Sequence, residues 1–269
     1  MKSSSLALAL TLSLLSGCAA AERSVLALAP GQMQGGIAER VTEASPQKPK
    51  SATKRPKPAV AAVREAEPVL PPWIVPSPMP QRVLGATLTP SQLFKSVSPA
   101  VYTVAVLGQS TQQVTSQGSA VAVSPKEAIT NCHVVAQAKG IVLANAVATL
   151  RAEVVSADRN TDRCYLRVVD GELEPVAGFR DYDSLAVGEV VFTIGSPKGL
   201  VNTLGHGLLS GLRRSEDGAE YIQITAPVSE GSSGGGLFDD RGNLIGVTTF
   251  TIRDSQSLNF AIAASQYWR

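Results

Sequence analysis

Three short polar stretches stand inside or beside apolar runs of the chain, and together they hold an imidazole, a carboxylate and a hydroxyl. They are Thr130-Asn131-Cys132-His133-Val134-Val135, Thr161-Asp162-Arg163-Cys164-Tyr165-Leu166 and Gly231-Ser232-Ser233-Gly234-Gly235-Gly236-Leu237. A serine hydroxyl is a weak nucleophile at neutral pH until a base within hydrogen-bond reach takes its proton. An imidazole does this best when a carboxylate on its other ring nitrogen fixes the tautomer and stabilises the imidazolium. Glycines beside the serine let the backbone bend sharply without Cβ clashes. Two backbone N–H groups can then point into the space where an oxyanion forms during acyl transfer. Each stretch alone has a plainer reading as a structural histidine, a turn aspartate or a flexible Gly-Ser loop. Their joint occurrence points to chemistry.

The bulk composition narrows the alternatives. The 269 residues carry a net charge of +2 with 17% charged residues, which implies no strong polyanion partner and no nucleic acid. His133 and His206 are the only histidines, and Cys18, Cys132 and Cys164 lack the close paired spacing of zinc or iron–sulfur ligation. No metal and no cofactor are called for.

The elements that must position these residues begin near Leu88. Thr89-Pro90-Ser91 starts a short helix to about Val97, with Pro in its first turn. Strand-like runs follow at Val101 to Leu107, Ser119 to Val123, Ile129-Thr130, Ile141 to Leu143, Ala148 to Val155 and Cys164 to Val169. After a break near Ala177 to Ser184 they resume at Val190 to Ile194, Leu208 to Leu212, Tyr221 to Thr225, Leu237-Phe238, Leu244 to Ile252 and Leu258 to Ile262. About a dozen short strands with turns between them predict an all-β barrel or sandwich. The length suits two small barrels, about 88–178 and 185–265, within a folded region 88–269.

The three stretches, in the order His, Asp, Ser, resemble the trypsin-like serine peptidases, specifically the bacterial HtrA/Deg-like branch. Ile194-Gly195-Ser196-Pro197-Lys198-Gly199-Leu200 looks like that branch's Ile-Gly-Asn-Pro-X-Gly turn, and Leu258-Asn259-Phe260-Ala261-Ile262 its closing strand. The resemblance implies a two-barrel chymotrypsin-like serine peptidase fold. It also implies roles: His133 as general base, Asp162 as its orienting carboxylate, Ser233 as nucleophile, and the N–H groups of Gly231 and Ser233 as oxyanion hole. His206 matches no catalytic box and reads as a loop or strand-start residue. Ala226, Val228, Thr248, Thr249 and Phe250 fall where the primary pocket is expected, and no acid stands at its floor. A small or medium apolar side chain is the expected preference, and Glu230, where the family often has Pro, is either a plain solvated residue or one that disfavours acidic substrates at the rim. The same likeness brings Cys132 and Cys164 together as a disulfide closing a loop of about thirty residues. Ser232 and Gly236 depart from the family's usual Asn and Pro, and no PDZ module or Ile-Val-Gly-Gly activation terminus is expected.

Upstream, Lys2 and the apolar run Leu6 to Leu15 read as an export signal, residues 1–18. Leu15-Ser16-Gly17-Cys18 resembles the bacterial lipobox, which makes Cys18 the lipidation site and the location a periplasm-facing membrane, outer rather than inner; an ordinary cleaved signal is the alternative. Residues 19–87 are rich in proline and basic in the middle, which predicts a disordered spacer; forty such residues reach roughly 100 Å. The reading is therefore a lipid-anchored envelope serine endopeptidase acting on exposed or unfolded polypeptide. Its rivals are a non-proteolytic peptide-binding or chaperone-like lipoprotein using the same cleft, and an esterase.

Overall fold

The computed structural model describes residues 73–74, 78–108, 114–251 and 258–269. The expected signal, Cys18 and most of the expected spacer lie outside them. Helix α1 (Pro90–Val97) opens the folded part as expected from its start signal: Thr89 caps it, accepting from Gln92 N, while the Gln92 side chain accepts from the Thr89 N–H.

Six antiparallel strands follow and close on themselves: β1 (Val101–Leu107), β2 (Val114–Ser124), β3 (Glu127–Asn131), β4 (Gly140–Ala144), β5 (Thr149–Asp158) and β6 (Arg163–Val168), in the order β1-β2-β3-β6-β5-β4. A short parallel strand, β7 (Gly178–Phe179), leads into a second group. This contains β8 (Val190–Gly195), β9 (Thr203–Arg214), β10 (Glu220–Ile224), β11 (Gly236–Phe238), β12 (Asn243–Thr251) and β13 (Asn259–Ala263). Pairing of β11 with both β8 and β12 closes this second barrel.

The burial pattern explains why the strands read as nearly unbroken apolar runs. Tyr102, Val104, Ala120, Ala122 and Leu166 fill the first barrel, while Val191, Leu209, Ile222, Leu237 and Ala261 fill the second. The alternate positions are buried too: Val101, Val121, Val123, Ile129 and Tyr165 join Phe192, Ile194, Phe238, Val247 and Ile262 in a third cluster shared by the two barrels. Side chains on successive strand residues point to opposite faces, so both faces of these strands are dry. The seam between barrels is thus a core in its own right.

Packed chain begins before Leu88, the start read from the sequence. Val83 donates to Asn243 Oδ1 (2.7 Å) and its carbonyl accepts from Asn243 Nδ2 (3.1 Å). Gln81 O accepts from Phe179 N, Gly85 O from Arg241 Nε, and Leu88 N donates to Asp240 O (2.8 Å). Further upstream, Trp73 meets Tyr267 edge-on at 6.2 Å, with the Arg163 guanidinium 4.8 Å from its ring.

Candidate active site

At the end of β3 the chain makes a single helical turn, α2 (Cys132–Val135). The first N–H groups of a helix have no partner within it, and here Asp162 supplies the acceptors. Cys132 N donates to Asp162 O (3.2 Å) and His133 N to Asp162 Oδ1 (2.9 Å). His133 Nδ1 lies 2.7 Å from Asp162 Oδ2. With Nδ1 engaged, Nε2 is the ring nitrogen left to accept a proton. The His133 side chain is 51% exposed, against 29% for Asp162.

Asp162 has φ +59°, a left-handed conformation that Asp tolerates better than most residues. The turn before it is built around the Asp158 carboxylate, which accepts from Asn160 N, Thr161 N, Thr161 Oγ1 and Arg163 Nη2. Burial pushes Asp158 toward the neutral form, but the hydrogen bonds from Thr161 and Arg163 outweigh it and hold its pKa below the usual carboxylate value. Cys132 and Cys164 are joined by a disulfide, with Cα atoms 4.8 Å apart, beside this pair. Beneath α2, the Tyr267 hydroxyl donates to Thr130 O (3.0 Å), and burial raises its phenol pKa well above the ordinary value.

Ser233 comes from the other barrel, in the loop before β11. Its Oγ donates to Thr249 O (2.9 Å), and Thr249 Oγ1 donates to Asp162 Oδ2 (3.1 Å). One residue of β12 therefore links the serine to the carboxylate that holds the histidine. In this resting arrangement the Ser233 proton is directed at the Thr249 carbonyl, not at the imidazole.

The loop backbone is held plane by plane. Ser232 N donates to Ser229 O, Gly234 N to Thr248 O and Gly235 N to Ser232 O, all at 2.8–2.9 Å. Thr248 Oγ1 donates to Ser232 O (2.6 Å), and Lys198 N to Glu230 O (3.0 Å). Between Gly231 and Gly235, only the N–H groups of Gly231 and Ser233 find no acceptor among the described residues. Two glycines make this path possible. Gly231 has φ +90°, and a Cβ there would lie 2.7 Å from Ser196 O and 2.8 Å from Lys198 N. Gly234 has φ +86°, and its Cβ would lie 1.9 Å from Ser119 O. Lys198 itself has φ +49°.

The pocket residues separate. Ala226 is fully buried in the core of the second barrel, with Val228 packed beside it, and Ala226 O accepts from Asn259 Nδ2 (2.8 Å). Thr248 Oγ1 braces the loop and Thr249 Oγ1 binds Asp162, so both hydroxyls are engaged. The Phe250 side chain lies outside the described part. A cavity of about 90 Å³ lies behind the loop, lined by Thr193, Ile194, Leu204, Pro227, Ser232 and Thr248. His206 sits within β9, opposite Phe192, its ring 5.2 Å away and outside this constellation. Sequence reasoning places Thr248 and Thr249 at the site but not the partners of their hydroxyls, reaches Lys198 only through the Pro-Lys-Gly turn, and misses Ser119.

Residues 118–247 match the family described as trypsin-like peptidase domain. Over 147 residues the chain is 36% identical to the putative serine protease HhoB of Synechocystis sp., covering 52% of this chain and 35% of that protein. Over 150 residues it is 33% identical to the serine protease Do-like HtrA of Bacillus subtilis, covering 51% of this chain and 33% of that protein. The chain thus spans about a third of the length of these curated relatives. Among solved structures it is similar to the HtrA-type protease AlgW with tripeptide: TM-score 0.61, 29% identity, 67% of this chain and 61% of that one. A serine endoprotease from Yersinia pestis gives TM-score 0.59 at 26% identity, over 68% and 65% of the two chains.

Proposed function

We propose that the folded part of this chain is a trypsin-like peptidase domain of the HtrA/Deg kind and, on that premise, a serine endopeptidase working through an acyl-enzyme on Ser233. One observation carries the reading. The Asp162 carboxylate touches both His133 and Thr249, and the carbonyl of that same Thr249 receives the Ser233 hydroxyl. Imidazole, carboxylate and hydroxyl are therefore neighbours, although they lie up to 100 residues apart in the chain (133 to 233).

In the reaction, the Ser233 hydroxyl turns from Thr249 O to His133 Nε2 and gives up its proton as Oγ attacks the peptide carbonyl. Asp162, bonded at Nδ1, stabilises the imidazolium and keeps the ring oriented. The oxygen of the tetrahedral intermediate takes the two unengaged N–H groups of Gly231 and Ser233; losing one such donor costs roughly 100–1000-fold in kcat. His133 then protonates the leaving amine, and water repeats the sequence on the acyl-enzyme.

The relatives named as proteases support polypeptide substrates, and the periplasmic ones, such as the DegP-like endoprotease of Halomonas elongata, support an envelope location. The apolar run Leu6 to Leu15, followed by Ser16-Gly17-Cys18, supports export and lipid attachment. The segment 226–229 is uncharged before Glu230, which supports a preference for small or medium apolar side chains. A fluorophosphonate probe tests the central claim: wild type becomes labelled and digests casein, and Ser233→Ala does neither. A folded wild type that neither labels nor cleaves across neutral pH would leave the peptide-binding reading instead.

A further inference from the structure

We propose that Ser119 is a positioning residue for the oxyanion site, an inference that rests on the peptidase reading above. Ser119 lies on β2 in the first barrel and is fully buried, followed on its strand by Ala120, Val121 and Ala122. A hydroxyl in such a place is costly unless it is hydrogen-bonded. Each of its polar atoms is engaged, and three of the four contacts reach into the second barrel. Ser119 N donates to Ser233 O (2.8 Å), and Ser119 Oγ donates to Gly231 O (2.9 Å). The same Oγ accepts from Ser196 N (2.9 Å), and Ser119 O accepts from Thr130 Oγ1 (2.7 Å).

These contacts set the distance and angle between the two free N–H donors. A peptide unit is planar, so the Gly231 N–H is fixed with Glu230 O, which Lys198 N holds. The Ser233 N–H is fixed with Ser232 O, which Thr248 Oγ1 holds. Between these two planes lies one other, 231–232, and its carbonyl is the group that Ser119 Oγ binds. The loop carrying Lys198 is registered against the same oxygen atom through Ser196 N. Both halves of the hole thus take their position from one side chain of the opposite barrel. Without that oxygen, plane 231–232 keeps only the Ser232 N to Ser229 O bond. Ser119 touches no substrate; it acts through the loop.

The test compares Ser119→Ala with Thr103→Val. Thr103 Oγ1 donates to Ser196 Oγ (2.7 Å), a buried bond of the same kind that does not reach the nucleophile loop. Displacing a catalytic group by about 1 Å can cost on the order of 100-fold. Ser119→Ala is therefore expected to lower kcat on labelled casein, and the second-order rate of fluorophosphonate inactivation, by roughly 10–100-fold. KM should stay within about threefold, and the pH dependence of the remaining activity should be unchanged, since His133 and Asp162 are untouched. Thr103→Val should lower the melting temperature comparably yet keep both rates within about threefold of wild type. Should Ser119→Ala fail to fold, Ser119→Cys, with a weak S–H donor, supplies the same comparison. A folded Ser119 variant with wild-type kcat and inactivation rate overturns the proposal, as does an equal loss of kcat in Thr103→Val. A wild type that never labels overturns the peptidase reading, and this inference with it.

Discussion

Gly231→Ala isolates the contribution of a single backbone donor. At φ +90° an L-residue costs roughly 1–2 kcal/mol. The new methyl would stand 2.7 Å from Ser196 O and 2.8 Å from Lys198 N, both backbone atoms that cannot swing aside. Relief requires rotation of the 230–231 peptide, which breaks the bond from Lys198 N to Glu230 O and turns the Gly231 N–H away from its present direction. The expected result is a fall in kcat of roughly 100–1000-fold, equivalent to ~3–4 kcal/mol of transition-state stabilisation, with KM little changed. The melting temperature should drop by only about 4–8 °C for a strain of ~2 kcal/mol. Gly188→Ala is the matched control: φ there is +97° and its added Cβ meets nothing within 4 Å. It should show a similar thermal loss and wild-type turnover. Steady-state casein hydrolysis and calorimetry on the two variants decide the matter. A Gly231→Ala protein that melts lower but turns over within threefold of wild type would refute the assignment of this N–H to the hole.

Asp162→Asn should preserve the fold and cut kcat by roughly 1000–10,000-fold, because an amide no longer fixes the ring proton on Nδ1; a loss under tenfold would contradict the role. Replacing Cys132 and Cys164 together by Ala opens a loop with a sequence separation of 32 and should remove ~3–4 kcal/mol in urea unfolding, with an unchanged midpoint as the contrary result. Hydrogen bonds from Thr161 and Arg163 hold the folded-state pKa of Asp158 below the usual carboxylate value, so the stability it confers is complete above about pH 4 and is lost as pH falls through the lowered value. Melting temperatures measured from pH 5 to 2 should therefore fall less steeply in Asp158→Asn than in wild type; parallel curves would show that the turn gains nothing from the charge.

Much of the architecture was legible because the barrels are built from local alternation and short turns. The run Val101 to Leu107 is β1 to the residue, and Thr89 begins α1 through a capping box that the sequence spells out. Strand β9 was underestimated: it begins at Thr203, ahead of the expected Leu208, because Gly205 and Gly207 carry no apolar signal yet pair with Thr193 and Val191. The turn α2 was invisible, since four residues have no helical stability of their own and these form through acceptors on Asp162. Ser233, His133 and Asp162 announce themselves by type and neighbours. Ser119 cannot, because a serine in a strand has no local signature and its partner Gly231 lies 112 positions away. Thr248 and Thr249 are legible as residues near the site, but the bonds of their hydroxyls to Ser232 O and Asp162 Oδ2 are not, since the sequence tells that β12 passes the site but not which of its faces meets the loop.

The segment Gln81–Leu88 bears on how the domain would respond to traction. Its hydrogen bonds fall on the Asp240–Asn243 turn and on Phe179, while Thr249 stands six residues along β12 from Asn243, about 20 Å at ordinary strand rise. Tension applied at Gln81 itself would load those bonds in shear at one end of the strand, away from Thr249 at the other, whereas a load from further upstream would first meet the contacts of Trp73 with Tyr267 and Arg163, next to Asp162.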